Sequence, residues 1–152
     1  MMIREAKIGD LEGLKILYSV LRPKDPPWDE FDAEHALTNV LESCYTKLFV
    51  ADSGDKLTST CMLALFPNVA SGGRPIGVIE HVITLPEFRG HGLARGILAA
   101  ALEYAWGMHC CKVFLLSGSK RTEAHRLYES LGFCGETERG FVIKPPTSQL
   151  MG

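Results

Sequence analysis

Residues 77–95 read Gly-Val-Ile-Glu-His-Val-Ile-Thr-Leu-Pro-Glu-Phe-Arg-Gly-His-Gly-Leu-Ala-Arg. The first part is an apolar, β-branched run, which predicts a strand that ends before Pro86. A short loop with two glycines follows, and the residues after it favour a helix. Glycines let a backbone approach a ligand closely, and the free N–H groups at a helix N-terminus favour anions. This stretch therefore predicts a phosphate-binding loop between a strand and a helix.

The glycine loop differs from two other phosphate-binding motifs. A dinucleotide-binding fold uses Gly-x-Gly-x-x-Gly after an early strand, whereas here Arg95 replaces the third glycine and the loop lies in the second half of the chain. A P-loop needs Gly-Lys followed by Ser or Thr, which is absent here. A merely structural turn remains the alternative.

Length and composition are those of an ordinary globular domain. The chain has 152 residues, and its net charge of −2 argues against the basic surface that binds nucleic acid. No apolar run approaches the ~20 residues that span a membrane, and the N-terminus lacks a signal-peptide core. We expect one cytoplasmic domain over residues 1–146 and a disordered tail over residues 147–152, with no nucleic-acid or membrane partner.

The five cysteines and five histidines show no metal-binding spacing. The odd number of cysteines argues against a disulfide framework. We therefore predict no metal site, and we interpret the cysteines as small apolar side chains.

The pattern of apolar residues and breakers predicts strands alternating with helices. Helices are expected from Leu11 to before Pro23, from a cap at Asp32, and over residues 92–107 and 123–131. Strands are expected over residues 3–7, 47–51, 57–66, 77–84, 112–116 and 141–143. A hairpin meander followed by a β-α-β unit indicates a mixed sheet with helices on its faces.

Two segments carry a resemblance to a known family. Arg89-Gly90-His91-Gly92-Leu93-Ala94 matches the Arg/Gln-x-x-Gly-x-Gly/Ala loop of the GCN5-related N-acetyltransferases. Residues 124–133, Ala-His-Arg-Leu-Tyr-Glu-Ser-Leu-Gly-Phe, resemble the family's Ala-x-x-Leu/Phe-Tyr-x-x-x-Gly-Phe/Tyr segment. The resemblance implies an α/β fold with a mixed sheet of six to seven strands, helices on both faces, and a splay between the fourth and fifth strands.

The resemblance also implies acetyl-CoA as the co-substrate. Its pyrophosphate would lie on the glycine loop, and its pantetheine arm would pair with the end of the fourth strand. Arg121 stands where the family often has a cofactor-binding asparagine, so it would replace that contact by reaching an adenosine phosphate, or it lies in a solvated basic turn. The expected cofactor-binding residues are Ile83, Thr84, Arg89, Gly90, His91, Gly92, Leu93, Ala94 and Arg121.

Acetyl transfer to an amine requires a base for the ammonium and benefits from an acid for the departing thiolate. By its place in the family segment, Tyr128 is the candidate acid, and the alternative is a tyrosine that only packs the core. Glu80 is the candidate base, because a carboxylate inside an apolar strand is costly without a purpose. A carboxylate paired at the sheet rim is the alternative, and His81, expected on the opposite face to Glu80, is the second candidate.

The expected function is transfer of an acetyl group from acetyl-CoA to a primary amine of a small molecule. Trp28 and Phe31 are candidates for the acceptor pocket, with the acidic residues around them attracting a cation or merely facing solvent. Short segments resemble glucosamine-6-phosphate and aminoalkylphosphonate acetyltransferases, which favours a small amine. The alternatives are an acetyl-CoA-binding module with little turnover and an acetyltransferase for a protein lysine or N-terminus. A homodimer is possible, but no interface is visible in the sequence.

Overall fold

A computed structural model describes residues 1–146 of the chain, so the tail predicted over residues 147–152 lies outside the described residues. The chain forms two compact units, Met1–Leu115 and Leu116–Gly152, which are described in turn. The single domain expected over residues 1–146 stays a prediction. Within the described residues, no helix combines the length and the apolar character needed to cross a membrane.

The first unit is a five-stranded mixed sheet with three helices. The strands are β1 (Met2–Glu5), β2 (Thr46–Asp52), β3 (Leu57–Phe66), β4 (Ile76–Thr84) and β5 (Lys112–Leu115), and the helices are α1 (Leu11–Leu21), α2 (Glu30–Glu42) and α3 (Leu93–Gly107). The strands lie in chain order. Neighbours from β1 to β4 are antiparallel, and β5 joins β4 in parallel after the crossover through α3.

Helices cover both faces of this sheet, as predicted. Alternate residues of β2 face opposite sides, and Leu48 and Val50 pack with Leu14, Leu17 and other residues of α1 and α2. On the other face the ring of Phe49 meets the edge of Tyr104 on α3, with ring centroids 6.4 Å apart. The sheet therefore has one core beneath α1 and α2 and another beneath α3.

The predicted number of six to seven strands is wrong. The sheet has five, because residues 141–143 form no strand among the described residues. A strand needs a neighbour that accepts and donates its backbone hydrogen bonds, and no described segment pairs with this one. Phe141 and Ile143 are 87% and 95% exposed, so the β-branched run buries no apolar surface that would stabilise a sixth strand.

Helix α2 begins earlier than the predicted Asp32 cap. The N-cap is Asp29, whose Oδ1 accepts hydrogen bonds from the N–H groups of Phe31 (3.1 Å) and Asp32 (3.2 Å). The carboxylate thus satisfies two of the free donors of the first turn. Several acidic residues lie close together here, and sequence alone did not identify which of them caps the helix.

Strand β4 contains a bulge that the alternating pattern did not predict. In the pairing with β3, Thr60 is opposite Ile83 and Met62 is opposite Glu80, so two residues of β4 face one residue of β3. The first of the two, His81, has a left-handed backbone with φ of 55°. Regular alternation would put Glu80 and Ile83 on opposite faces, whereas the extra residue puts both on the face covered by α1.

An ion-pair network ties β1 to the start of α1 and to the end of β2. The Arg4 guanidinium donates two hydrogen bonds to Asp10, at 2.8 and 2.9 Å, and further bonds to Asp52. The buried Asp10 carboxylate also accepts the N–H of Lys7 at 2.8 Å. The hydrogen bonds from Arg4 hold the pKa of Asp10 below its usual range, since they favour the charged carboxylate.

This network predicts a loss of stability in acid. Because the pKa of Asp10 is lower in the folded protein, its stabilisation is present above the unfolded value of about 3.9 and is lost as the pH falls through the folded value. We expect Asp10→Asn to cost about 2 kcal/mol of unfolding free energy at pH 7, and less near pH 2. Urea unfolding at several pH values measures this.

Asp25→Asn is the matched control for Asp10→Asn. Asp25 pairs with Arg22 at 2.7 Å, but both side chains are largely exposed, so the change should cost less than about 1 kcal/mol. Equal losses for the two variants, or a loss for Asp10→Asn that does not vary with pH, would contradict the role given to the network.

Candidate functional site

The glycine loop has the backbone geometry of an anion site. Gly90 and Gly92 adopt left-handed conformations, with φ of 81° and 75°, and α3 begins directly afterwards at Leu93. Among the described residues, none accepts a hydrogen bond from the N–H groups of Gly90, His91, Gly92, Leu93 and Ala94. Five backbone donors are thus available at the positive end of a fifteen-residue helix.

The loop also leaves space for a ligand. A Cβ atom added at Gly90 or Gly92 would meet no other atom within 4 Å, so the glycines are required by their backbone conformation rather than by crowding. The side chain of His91 is exposed. The available donors, the helix dipole and the open space together fit a pyrophosphate group.

Arg89 fixes the loop to the end of β4. Its Nε donates a hydrogen bond of 3.2 Å to the carbonyl oxygen of Thr84. The Thr84 hydroxyl lies 2.8 Å from the Ser59 hydroxyl, and Ser59 also donates to the carbonyl oxygen of Ile83 at 3.0 Å. The side chain of Arg89 thus shapes the loop. The buried Ser59 holds the last two residues of β4 through its hydroxyl, a role that its position in the sequence does not indicate.

The end of β4 has an unpaired edge within the first unit. The pairing of β4 with β5 stops at Ile79 and Leu115, while β4 continues to Thr84 with β3 as its neighbour. Ile83 and Thr84 lie in this last part, directly before the glycine loop. An extended ligand can pair with such an edge in the way that an added strand does.

Glu80 and His81 lie together on the α1 side of the sheet. The His81 ring meets the edge of the Tyr18 ring on α1, with centroids 5.7 Å apart. The charge of Glu80 contributes to the raised pKa of Arg22, whose main cause is the hydrogen bond to Asp25. The expectation that His81 faces away from Glu80 is wrong, because the bulge turns both toward α1.

The argument from burial for Glu80 is also wrong. Its side chain is exposed, so its presence in β4 carries no desolvation penalty that would call for a function. What remains is its position: a carboxylate open to solvent, beside the bulge and within the electrostatic range of Arg22. Its role as a base stays a prediction.

An apolar pocket of about 130 Å³ lies on the same side of the sheet. Its walls come from α1, α2 and the strands beneath them, and they include Leu11, Leu14, Lys15, Tyr18, Trp28, Ala33, Ala36, Leu37, Val40, Leu48 and Met62. Trp28 lines this pocket, and its role in binding an acceptor stays a prediction. Phe31 does not line it: it is 77% exposed and stacks on His35, with centroids 6.3 Å apart.

Tyr18 connects this pocket to β4. Its ring lines the pocket and contacts His81, and its hydroxyl forms no hydrogen bond with the described residues. Burial raises the pKa of Tyr18 to about 12, so the phenol stays protonated at neutral pH. Tyr18 lies at helical spacing with the apolar residues of α1, and nothing in that spacing indicates a position between a pocket and the strand.

The second unit contains the other two predicted site residues. Helix α4 (Thr122–Ser130) begins after Arg121, which is exposed and acts as the N-cap residue. Tyr128 is the buried residue of this helix, and its ring meets the edge of Phe133 at 6.1 Å. The N–H of Phe133 also donates to the carbonyl oxygen of Tyr128 at 3.1 Å.

Metal-binding geometry is absent from the part of the chain that the structure describes. No group of three or more His, Cys, Asp or Glu side chains there is placed to hold an ion. The described cysteines are all free thiols. Burial raises the pKa of the Cys61 thiol to about 12, which keeps it protonated and unreactive.

Comparison with known proteins identifies the family of this chain. The sequence model of the Acetyltransferase (GNAT) family matches residues 14–133. A curated relative, glucosamine 6-phosphate N-acetyltransferase of Trypanosoma brucei brucei, is 33% identical over 88 residues. That match spans 58% of this chain and 58% of the relative.

Solved structures agree on the fold. One is a protein of Agrobacterium tumefaciens str. C58 that carries the provisional name acetyltransferase, with 37% identity and a TM-score of 0.90, covering 95% of this chain and 100% of that one. Another is aminoglycoside N-acetyltransferase AAC(6')-Iy in complex with CoA, with 23% identity and a TM-score of 0.78, covering 95% and 93%. At that identity the second shows similarity of fold alone.

Proposed function

Because the chain belongs to the Acetyltransferase (GNAT) family, we propose that it transfers an acetyl group from acetyl-CoA to the primary amine of a small molecule. The observation that carries the proposal is the set of five N–H groups at residues 90–94 that donate no hydrogen bond to residues 1–146. They point to a bound pyrophosphate at the position where the family motif places it. The curated relative supports a small acceptor, since its name is glucosamine 6-phosphate N-acetyltransferase.

The proposed cofactor-binding residues supply three kinds of contact: backbone donors, positive charge and a strand edge. Gly90, His91, Gly92, Leu93 and Ala94 offer backbone donors to the pyrophosphate. Arg89 holds the loop against Thr84 and adds positive charge nearby. Ile83 and Thr84 offer the unpaired edge of β4 to the pantetheine arm, whose amides can pair with a strand. Arg121 is proposed as a partner of an adenosine phosphate.

In the reaction the ammonium first loses one proton. The amine nitrogen then bonds to the acetyl carbon and the C–S bond breaks; the nitrogen releases its second proton to solvent as the amide forms, and the departing thiolate takes up a proton. Glu80 is proposed to accept the proton that the ammonium loses, directly or through water, because its carboxylate is solvent-accessible on β4. Tyr128 is proposed to protonate the thiolate, since a phenol is protonated at neutral pH. Each group then returns to its starting state by exchange with solvent.

Two measurements test the proposed function. Isothermal titration should show acetyl-CoA binding, and an assay of free thiol should show release of CoA that depends on an added small amine. Release with peptides but not with small amines would shift the assignment to a protein acetyltransferase. Binding without release on any amine would leave a binding module, and no binding at all would refute the proposal.

Glu80→Gln tests the base. Removing the carboxylate should lower kcat/KM about 10–100-fold and remove the acidic limb of the pH–rate profile, because the proton acceptor is gone. Acetyl-CoA affinity should be unchanged. Steady-state kinetics from about pH 3.5 to pH 9, a range that includes the ordinary titration of a carboxylate, measure the first two, and isothermal titration measures the affinity.

His81→Gln and Glu42→Gln are the comparison variants for Glu80→Gln. Glu42 is exposed at the end of α2, so its change should leave the rate within about twofold, as for a surface position without a role. An acidic limb that persists in Glu80→Gln and disappears in His81→Gln would transfer the role to His81.

A further inference from the structure

The apolar pocket beside β4 has a size that restricts what can enter it. Its volume is about 130 Å³, and a cavity of roughly 150 Å³ holds one benzene molecule. A phenyl ring or a short branched alkyl chain fits this space. A hexose phosphate or an aminoglycoside is larger than this space and would extend out of it.

The lining of the pocket also favours an apolar group over a sugar. Of its eleven lining residues, seven are aliphatic and one is Met62; the side chains with a polar group are those of Lys15, Tyr18 and Trp28. A sugar placed here would leave several hydroxyl groups without hydrogen-bond partners, which opposes its binding. The chemistry of the wall therefore suits an apolar group.

The charge of Lys15 does not make the pocket an anion site. Its ammonium pairs with Glu12 at 3.3 Å and also with Glu30. The hydrogen bond to Glu30 is the main cause of its raised pKa. With two carboxylates already opposite it, Lys15 offers little attraction to the phosphate of a sugar phosphate.

The pocket is close to the candidate base. Met62 lines the pocket and is the residue opposite Glu80 in the pairing of β3 with β4. Directly opposite residues on neighbouring strands have Cβ atoms about 5 Å apart. Tyr18 makes the same link, since it lines the pocket and contacts His81. A linker of two or three carbons spans such a distance.

From these observations, and resting on the proposed function, we infer that the acceptor is a primary amine joined by a short linker to one apolar group the size of a phenyl ring. The apolar group occupies the pocket between α1 and α2, and the ammonium lies at Glu80 and His81. Tyr18, whose hydroxyl has no partner among the described residues, accepts or donates a hydrogen bond at the junction.

The kinetic test compares several amine acceptors and uses a substitution that fills the pocket. We expect 2-phenylethylamine and isoamylamine to be acetylated with kcat/KM at least about tenfold above that of glucosamine 6-phosphate or neamine. Ala36 is exposed at the mouth of the pocket, so Ala36→Phe fills it without disturbing the buried core. It should lower kcat/KM for 2-phenylethylamine about tenfold or more and leave that for ethylamine within about twofold.

Asn39→Phe is the matched control for Ala36→Phe. Asn39 is exposed on the same helix and is not among the lining residues, so it adds the same ring outside the pocket. Both variants should keep the acetyl-CoA affinity of the parent. Preference for glucosamine 6-phosphate or neamine, or equal effects of the two variants, would overturn the inference while leaving the acetyltransferase proposal in place.

A binding measurement decides the inference even if no acetylation occurs. The chain has two tryptophans, and Trp28 lines the pocket while Trp106 lies on α3, so Trp106→Phe leaves Trp28 as the sole reporter. Titration with 2-phenylethylamine, with and without CoA, should change its emission saturably. Ala36→Phe should abolish the change and Asn39→Phe should keep it; the absence of a saturable change in the parent refutes the site.

Discussion

Gly92→Asp is expected to lower acetyl-CoA affinity at least about 100-fold, equivalent to about 2.7 kcal/mol. Two effects combine. The left-handed backbone of Gly92, with φ of 75°, disfavours any side chain by about 1 kcal/mol, and the carboxylate stands where five N–H groups and the helix dipole would meet a pyrophosphate. Isothermal titration of acetyl-CoA measures the loss.

Two variants separate the two effects. Gly92→Ala keeps the backbone strain without the charge and should weaken binding less than about tenfold. Gly54→Asp repeats the substitution at another left-handed glycine, with φ of 94°, in the turn between β2 and β3, and should leave affinity unchanged. Parent-like affinity in Gly92→Asp would refute the assignment of the loop to pyrophosphate.

Tyr128→Phe is expected to lower kcat about 100-fold with little change in acetyl-CoA affinity. The change removes the hydroxyl but keeps the ring that meets Phe133, so the packing inside the second unit should persist. If the phenol protonates the thiolate, acceptors should share the loss of rate, whatever their structure. Rapid-quench or steady-state kinetics with saturating acetyl-CoA measure it.

The control for Tyr128→Phe is Tyr104→Phe. Tyr104 is the ring that meets Phe49 under α3, and its hydroxyl has no proposed role, so the rate should stay within about twofold. Thermal unfolding of both variants distinguishes lost chemistry from lost stability. A rate for Tyr128→Phe equal to that of the parent would return Tyr128 to a purely structural role.

The elements around the glycine loop were predictable because local chemistry and tertiary structure agree there. Strand β3 occupies the predicted residues 57–66, with a glycine turn before it and Pro67 after it. Helix α3 starts at the predicted position, because a left-handed glycine must precede it and the alanine-rich run favours it. The family segments then identified the loop. The structure shows in addition that the N–H groups of residues 90–94 donate no hydrogen bond to the described residues.

The incorrect predictions share a physical origin, since each concerned a partner outside the local sequence. Residues 141–143 have strand propensity but no neighbour to pair with among the described residues. The bulge at His81 depends on the register with β3, which no alternation within β4 reveals. The pocket around Tyr18 depends on how α1 and α2 pack, and helical spacing alone marks its lining as ordinary core.

The bulge in β4 reverses which residues of the strand face each side of the sheet. In a regular strand, Ile79 and Ile83 would lie on the same face, because they are four residues apart. Here Ile79 is opposite Leu63 on the α3 side, whereas Ile83 packs with Leu14 and Leu17 on the other. Deleting His81 would restore the regular alternation. Either Ile83 would then move from the α1 side to the α3 side, or Glu80 would move to the α3 side and Ile79 to the α1 side. Because of one left-handed residue, the same strand contributes an isoleucine to the core beneath α3 and another to the core beneath α1.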